Sequence, residues 1–129
     1  MRYLGIDYGK KRVGIAISDL EGWIAFPNTT LEHRGIPGLL KEIRRIVKED
    51  NVSMIIVGFP LGLDGKETLQ TEKTRKFAER LEDDVWIPVE FQNEMLTSRM
   101  AHQSGAKDID ASSAALILQS YLDKRRDKF

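Results

Sequence analysis

Apolar positions along this chain follow two periods, and they divide it into strands and helices. Near the start, Tyr3, Leu4 and Ile6 precede Gly9, and Val13, Ile15 and Ile17 follow it. This pattern predicts a β-hairpin over residues 2–7 and 12–18 with its turn at Gly9. A third strand is expected between Trp23 and Leu31, interrupted at Pro27 as an edge or bulged strand would be. Ile36, Leu39, Leu40, Ile43, Ile46 and Val47 then form one helical stripe, with Pro37 suited to its first turn. Ser53 to Gly58 is a continuous apolar run, the signature of an interior parallel strand covered on both faces. Phe59 to Gly65 is a Gly/Pro loop. A second helix is expected from Glu67 to Leu81, with Leu69, Phe77, Ala78 and Leu81 facing inward. A strand over Val85 to Phe91 follows, with Pro88 hinting at an edge position. Next comes a short helix from Leu96 to about Gln103, stopped by Gly105. The last helix runs from Asp110 to about Lys124, with Ala111, Ala115, Leu118 and Leu122 on one face.

The resulting order, β-β-β-α-β-α-β-α-α, implies a mixed α/β sheet of five strands covered on both faces. With 129 residues and no linker, repeat or low-complexity stretch, it reads as one domain over 1–129. In such sheets, ligands collect at the carboxyl ends of the strands. Asp7, Gly58 with its loop, and Glu94 a few residues past Phe91 all fall there, so separate segments deliver polar chemistry to one edge.

Composition narrows the chemistry. The chain has no Cys, which excludes disulfides, thiolate metal sites and Cys nucleophiles and fits a reducing compartment. No apolar h-region opens it and no run approaches the ~20 residues of a membrane span, so a cytoplasmic location with no membrane partner is expected. With 20 basic and 20 acidic residues the net charge is +0, which argues against a nucleic-acid coat protein. It leaves room for a local basic rim, and Lys10, Lys11 and Arg12 beside Asp7 are placed to hold nucleic-acid phosphates. Arg44-Arg45 and Lys124-Arg125-Arg126 read as solvated faces.

Asp7 stands at the rim of a core, where an ionised carboxylate needs a partner or a cation. Asp7, Glu94 and Asp110, brought together, would repel and raise one another's pKa. A hard divalent ion, Mg²⁺ or Mn²⁺, relieves that conflict, and on a phosphodiester it can activate water and stabilise the leaving oxygen. Each acid also has a plainer reading: Asp7 paired with Arg12, Glu94 on the surface, Asp110 as a helix N-cap. The loop from Gly58 through Pro60 to Gly65 presents backbone N–H groups suited to phosphate, or is simply a tight connection. It lacks the Lys-Ser/Thr ending of a P-loop. Thr97 and Ser98 cap a helix or donate to phosphate. His33 and His102 read as ordinary loop residues, and Trp23 and Trp86 as packing residues rather than platforms for bases.

Together these residues resemble the YqgF/RuvX family, RNase H-like proteins described as pre-16S rRNA nucleases or as Holliday-junction-resolvase-like. The resemblance rests on Gly5-Ile6-Asp7-Tyr8-Gly9, on Arg12-Val13-Gly14-Ile15-Ala16, and on Gly58-Phe59-Pro60 closed by Gly65. It extends to Lys107-Asp108-Ile109-Asp110 with Ala114-Ala115 and Ile117-Leu118-Gln119, and so covers essentially the whole chain. It implies an RNase H-like fold and metal-dependent cleavage of nucleic acid, with Asp7, Glu94 and Asp110 as catalytic, metal-binding acids. The implied substrate is the 5′ end of pre-16S rRNA, in ribosome biogenesis, or branched DNA. The protein would act as a monomer or a homodimer, since symmetric junction resolution needs two sites. One motif departs from the family: Asn93-Glu94-Met95 stands where relatives read Asp-Glu-Arg. An Arg there would suit phosphate contact. The departure motivates an alternative, a non-catalytic nucleic-acid-binding factor. An actin-like nucleotide-binding domain is a further alternative, although such ATPases close two domains over their nucleotide.

Overall fold

The computed structural model describes residues 1–94 and 109–126, and they form a five-stranded sheet with helices on both faces. The strands are β1 (Arg2–Tyr8), β2 (Arg12–Ser18), β3 (Ala25–Glu32), β4 (Val52–Phe59) and β5 (Val89–Asn93). The helices are α1 (Ile36–Glu49), α2 (Leu69–Val85) and α3 (Ile109–Arg126). Sheet order is β3-β2-β1-β4-β5. The first three strands are antiparallel, while β4 runs parallel to both β1 and β5. Among the described residues no helix is long and apolar enough to cross a membrane.

Alternation along the strands sorts the core into two layers. Leu4, Ile6, Val13, Ile15, Ile55 and Val57 pack under α1 and α2, against Leu39, Leu40, Ile43, Ile46, Phe77, Ala78 and Leu81. Tyr3, Ala16 and Ile56 face the other way and meet Ala114, Ile117, Leu118 and Leu122 of α3. The α1 stripe is therefore the one its periodicity predicts. The edge position of β3 also holds, and its pairing register shifts opposite Pro27, between Ile15 and Ala16.

Four expectations are corrected. α2 begins later than Glu67, at Leu69, because Thr68 and Thr71 form a reciprocal capping box there. Leu69 consequently sits on the outer side of the first turn and is exposed. α2 also runs on to Val85, so the last strand is Val89–Asn93 rather than Val85–Phe91. The helix ends at Trp86, whose backbone is left-handed (φ 61). That leaves Trp86 90% exposed, and it does not pack. The short helix expected over Leu96 to Gln103, Gly105 and His102 lie outside the described residues.

Candidate active site

Asp7 lies near the carboxyl end of β1, the sheet's middle strand, opposite Gly14 of β2. Strand alternation puts it on the α3 face together with Tyr3 and Gly5. Here the sheet carries glycines where other strands carry side chains. A Cβ at Gly5 would lie 2.8 Å from Leu118 Cβ and 2.9 Å from the Ala114 carbonyl oxygen. A Cβ at Gly14 would lie 1.8 Å from the carbonyl oxygen of Asp110. The first turn of α3 thus rests directly on β2 backbone, which sets Asp110 beside Asp7.

Glu94 follows β5 and extends its pairing with β4, its N–H donating to the Phe59 carbonyl (3.3 Å). Its carboxyl lies over Gly58, where a Cβ would come within 2.9 Å of Cδ and 3.0 Å of Oε2. Gly58 therefore makes room for this acid. Glu94 Oε2 is buried with no hydrogen-bond partner among the described residues.

Burial is the larger cause of raised pKa values at both positions. Asp7 is pushed up to about 6, by burial first and by the charge of Asp110 second. Glu94 is pushed up to about 8, by burial first and by Asp7 second. Asp110, in the first turn of α3, accepts a 2.9 Å hydrogen bond at Oδ2 from Arg12 Nε. The plainer sequence readings are thereby corrected. Arg12 pairs with Asp110 rather than Asp7, Asp110 lies inside the helix rather than at its N-cap, and Glu94 is not a surface residue. The Arg12 side chain is 67% exposed, so this ion pair adds about 0–1 kcal/mol at most.

Hard oxygen donors from two half-buried acids, one of them with a buried oxygen that has no partner among the described residues, suit a divalent cation such as Mg²⁺ or Mn²⁺. Asp7 and Glu94 fit such an ion by position and chemistry. Asp110 is engaged by Arg12, and among the described residues no group of three His, Cys, Asp or Glu is gathered tightly enough to hold one ion.

The raised pKa values have a consequence for stability. Between the ordinary carboxylate range near 4 and the folded values of about 6 and 8, the folded chain holds protons that the unfolded chain has released. Stability is then full below about pH 4, falls as pH rises, and levels off above about pH 8. Melting temperature in metal-free buffer is expected to follow that course. Glu94→Gln should flatten it and raise the melting temperature at pH 8. A metal-free profile that rises from pH 5 to 8 would contradict the burial of both acids.

Lys10, Lys11 and Arg12 form an exposed basic rim on the β1–β2 turn next to Asp7. The loop after β4 turns two of its glycine N–H groups back on itself. Gly62 N–H donates to the Lys66 carbonyl (2.8 Å), Gly65 N–H donates to the Gly62 carbonyl (2.8 Å), and the Pro60 carbonyl accepts from the Thr71 hydroxyl. Of the residues expected there, Gly58 faces Glu94 instead, while Gly65 turns the chain at φ +78. Thr97 and Ser98 lie outside the described residues. Sequence reading missed the part played by Gly5, Gly14 and Gly58. Their alternation with apolar residues on one sheet face, opposite the small Ala111 and Ala114 of α3, was the available signal. It also missed the contact of His33 Nε2 with the Tyr8 hydroxyl (2.8 Å), which ties the residue after Asp7 to the chain leaving β3.

Known proteins agree with this architecture. A relative from Crocosphaera subtropica, named "Putative pre-16S rRNA nuclease", is 38% identical over 95% of this chain and 93% of its own. Relatives of the same name from Syntrophus aciditrophicus and Caldanaerobacter subterraneus are 41% and 38% identical. They cover 95% and 98% of this chain, and 89% and 99% of their own. Among solved structures, Thermus thermophilus RuvC in complex with a Holliday junction superposes with a TM-score of 0.65 at 13% identity, over 98% of this chain and 96% of that one. The fowlpox virus resolvase bound to Holliday junction DNA gives 0.62 at 12% identity, over 97% and 99%. At that identity the likeness is one of fold, and the fold is RNase H-like. The family model described as "RuvX: Holliday junction resolvase" matches residues 1–124, and the chain belongs to that family.

Proposed function

We propose that this protein is a divalent-metal-dependent nuclease that processes the 5′ end of pre-16S rRNA in the cytoplasm, with Asp7, Glu94 and Asp110 as its metal-holding acids. The observation that carries the reading is Glu94, whose buried Oε2 has no partner among the described residues and whose carboxyl lies beside the half-buried carboxylate of Asp7. Two such groups resist ionisation unless a cation joins them. A bound Mg²⁺ or Mn²⁺ supplies activated water and stabilises the leaving oxygen. Asp7 and Glu94 must release their protons to ligate it, so acid opposes metal binding. Arg12 holds Asp110 through Oδ2, so that acid can join them through its other oxygen while the ion pair stands. Its exposed guanidinium is suited to a substrate phosphate, with Lys10 and Lys11 alongside. The RNA substrate is supported by the names of the relatives. Branched DNA is supported by the family description and, if it were the substrate, would call for a dimer.

The test is cleavage of a labelled pre-16S 5′ segment and a labelled four-way DNA junction, each with Mn²⁺, Mg²⁺ or chelator. Metal-dependent cutting of the RNA is the expected result. Preference for the junction by a dimer would reassign the substrate. RNA binding indifferent to metal, with no cutting of either, would identify a binding factor whose chemistry was lost at Asn93-Glu94-Met95.

A further inference from the structure

At the far end of α3 from the carboxylates, the β2–β3 connection and the last helical turn enclose a cavity of about 440 Å³. Glu21, Gly22, Trp23, Arg125 and Arg126 line it. Its volume falls in the range of ordinary ligand pockets. The Trp23 indole is 46% exposed, with the Arg126 guanidinium over its ring at 5.0 Å. Arg125 lies over the Tyr3 ring at 5.1 Å and donates to the Gly22 carbonyl (3.3 Å), while its buried Nε has no partner among the described residues. Lys124 adds an exposed cation on the same turn. The opposing charges are Glu21 on the cavity wall, Asp19 in the same loop with its Oδ1 taken up by the Trp23 and Ile24 N–H groups, and Asp123, which accepts from Arg126 at 2.5 Å.

The platform is held in place by backbone bonds rather than by its own ring. Asp19 Oδ1 accepts from the N–H groups of Trp23 (2.7 Å) and Ile24 (3.0 Å). Gln119 of α3 donates to the Trp23 carbonyl (3.0 Å) and accepts from Ala25 N–H (2.8 Å). An exposed indole on a hydrogen-bonded loop, flanked by two guanidinium groups, has the chemistry that binds a base by stacking and its phosphate by charge. A protein strand is a poorer occupant, because the adjoining edge β3 carries Pro27 and a register shift.

We propose that Trp23, Arg125 and Arg126 form a second contact for single-stranded nucleic acid, about 24 Å from the carboxylates at 1.5 Å rise per residue of α3. It rests on the nucleic-acid reading above and deepens it, because a substrate must then present an unpaired segment well away from the cleaved bond. Duplex bases stacked on one another could not use the indole.

The test uses the full chain carrying Trp86→Phe, so that Trp23 is the one reporting indole. It is titrated with a fluorescein-labelled oligouridylate of about twelve nucleotides, within the span single-strand binders occupy. Quenching of Trp23 is expected. Trp23→Ala should weaken binding by about tenfold or more, and Trp23→Phe should keep most of it. Arg126→Gln should reduce the salt dependence by about one phosphate contact. Circular dichroism should be unchanged, since the loop's hydrogen bonds run through backbone atoms. If the parent chain binds the strand but the indole is silent and Trp23→Ala binds as tightly, the second contact is refuted and the nuclease reading stands. Trp23-dependent self-association by sedimentation, in place of quenching, refutes it in favour of a contact between copies. If the parent chain binds no strand at all, the second contact is likewise refuted, and the nuclease reading is decided by the cleavage of its own substrates.

Discussion

Asp7→Asn is expected to lower metal-dependent cleavage by at least about a thousandfold, ~4 kcal/mol of transition-state stabilisation. Its melting temperature at pH 8 should be unchanged or higher. The two halves of this expectation have one cause. Asp7 is a carboxylate whose burial pushes it up to about 6, so at pH 8 the folded chain carries a charge it would hold more cheaply unfolded. An amide of the same shape removes that charge and the ligand with it. It also removes the smaller of the two causes that raise Glu94, whose pKa should therefore fall. Cleavage rates and thermal melts on the same preparation check both halves. Lost cleavage with a collapsed melting temperature would mean a structural role for Asp7, and full cleavage would remove it from the chemistry.

Gly14→Ala is expected to destabilise the fold by more than about 3 kcal/mol. Overpacking a core ordinarily costs about 1–3 kcal/mol, when side chains can shift. Here the added Cβ would fall 1.8 Å from the Asp110 carbonyl oxygen, and backbone cannot rotate away as a side chain does. The first turn of α3 would have to lift, taking Asp110 from Asp7. A fall in melting temperature of about 10 °C or more follows for a chain of this size. Gly38→Ala provides the contrast. Gly38 sits in the first turns of α1 with nothing within 4 Å of where a Cβ would stand, and its backbone is not left-handed. That substitution should stabilise by about 0.5–1 kcal/mol, because the unfolded chain loses freedom and the helix loses nothing. Chemical denaturation of both variants separates glycine needed for space from glycine that is dispensable.

The two basic runs expected to be solvated faces have different fates. Arg44 and Arg45 pair with Asp84, Glu42 and Glu49 on the outside of α1, as surface charges do. Arg125 and Arg126 lie across the rings of Tyr3 and Trp23 instead. Nothing in their spacing could announce this, because the rings come from the other end of the chain.

Local periodicity determined most of the architecture. The hairpin of β1 and β2, the α1 stripe, the edge position of β3 and the mixed sheet could be read because period 2 and period 3.6 are written in neighbouring residues. The element ends were less legible where capping decided them, as Thr68 and Trp86 did for α2. The three acids could be named from their places at strand and helix ends, since topology brings those ends to one edge. Tertiary structure alone decided how each of them is placed. Arg12 takes Asp110, Gly58 makes room for Glu94, and Gly14 lets α3 rest on the sheet. These contacts join residues far apart in the chain, and their energies depend on burial and distance, which no single stretch of sequence contains.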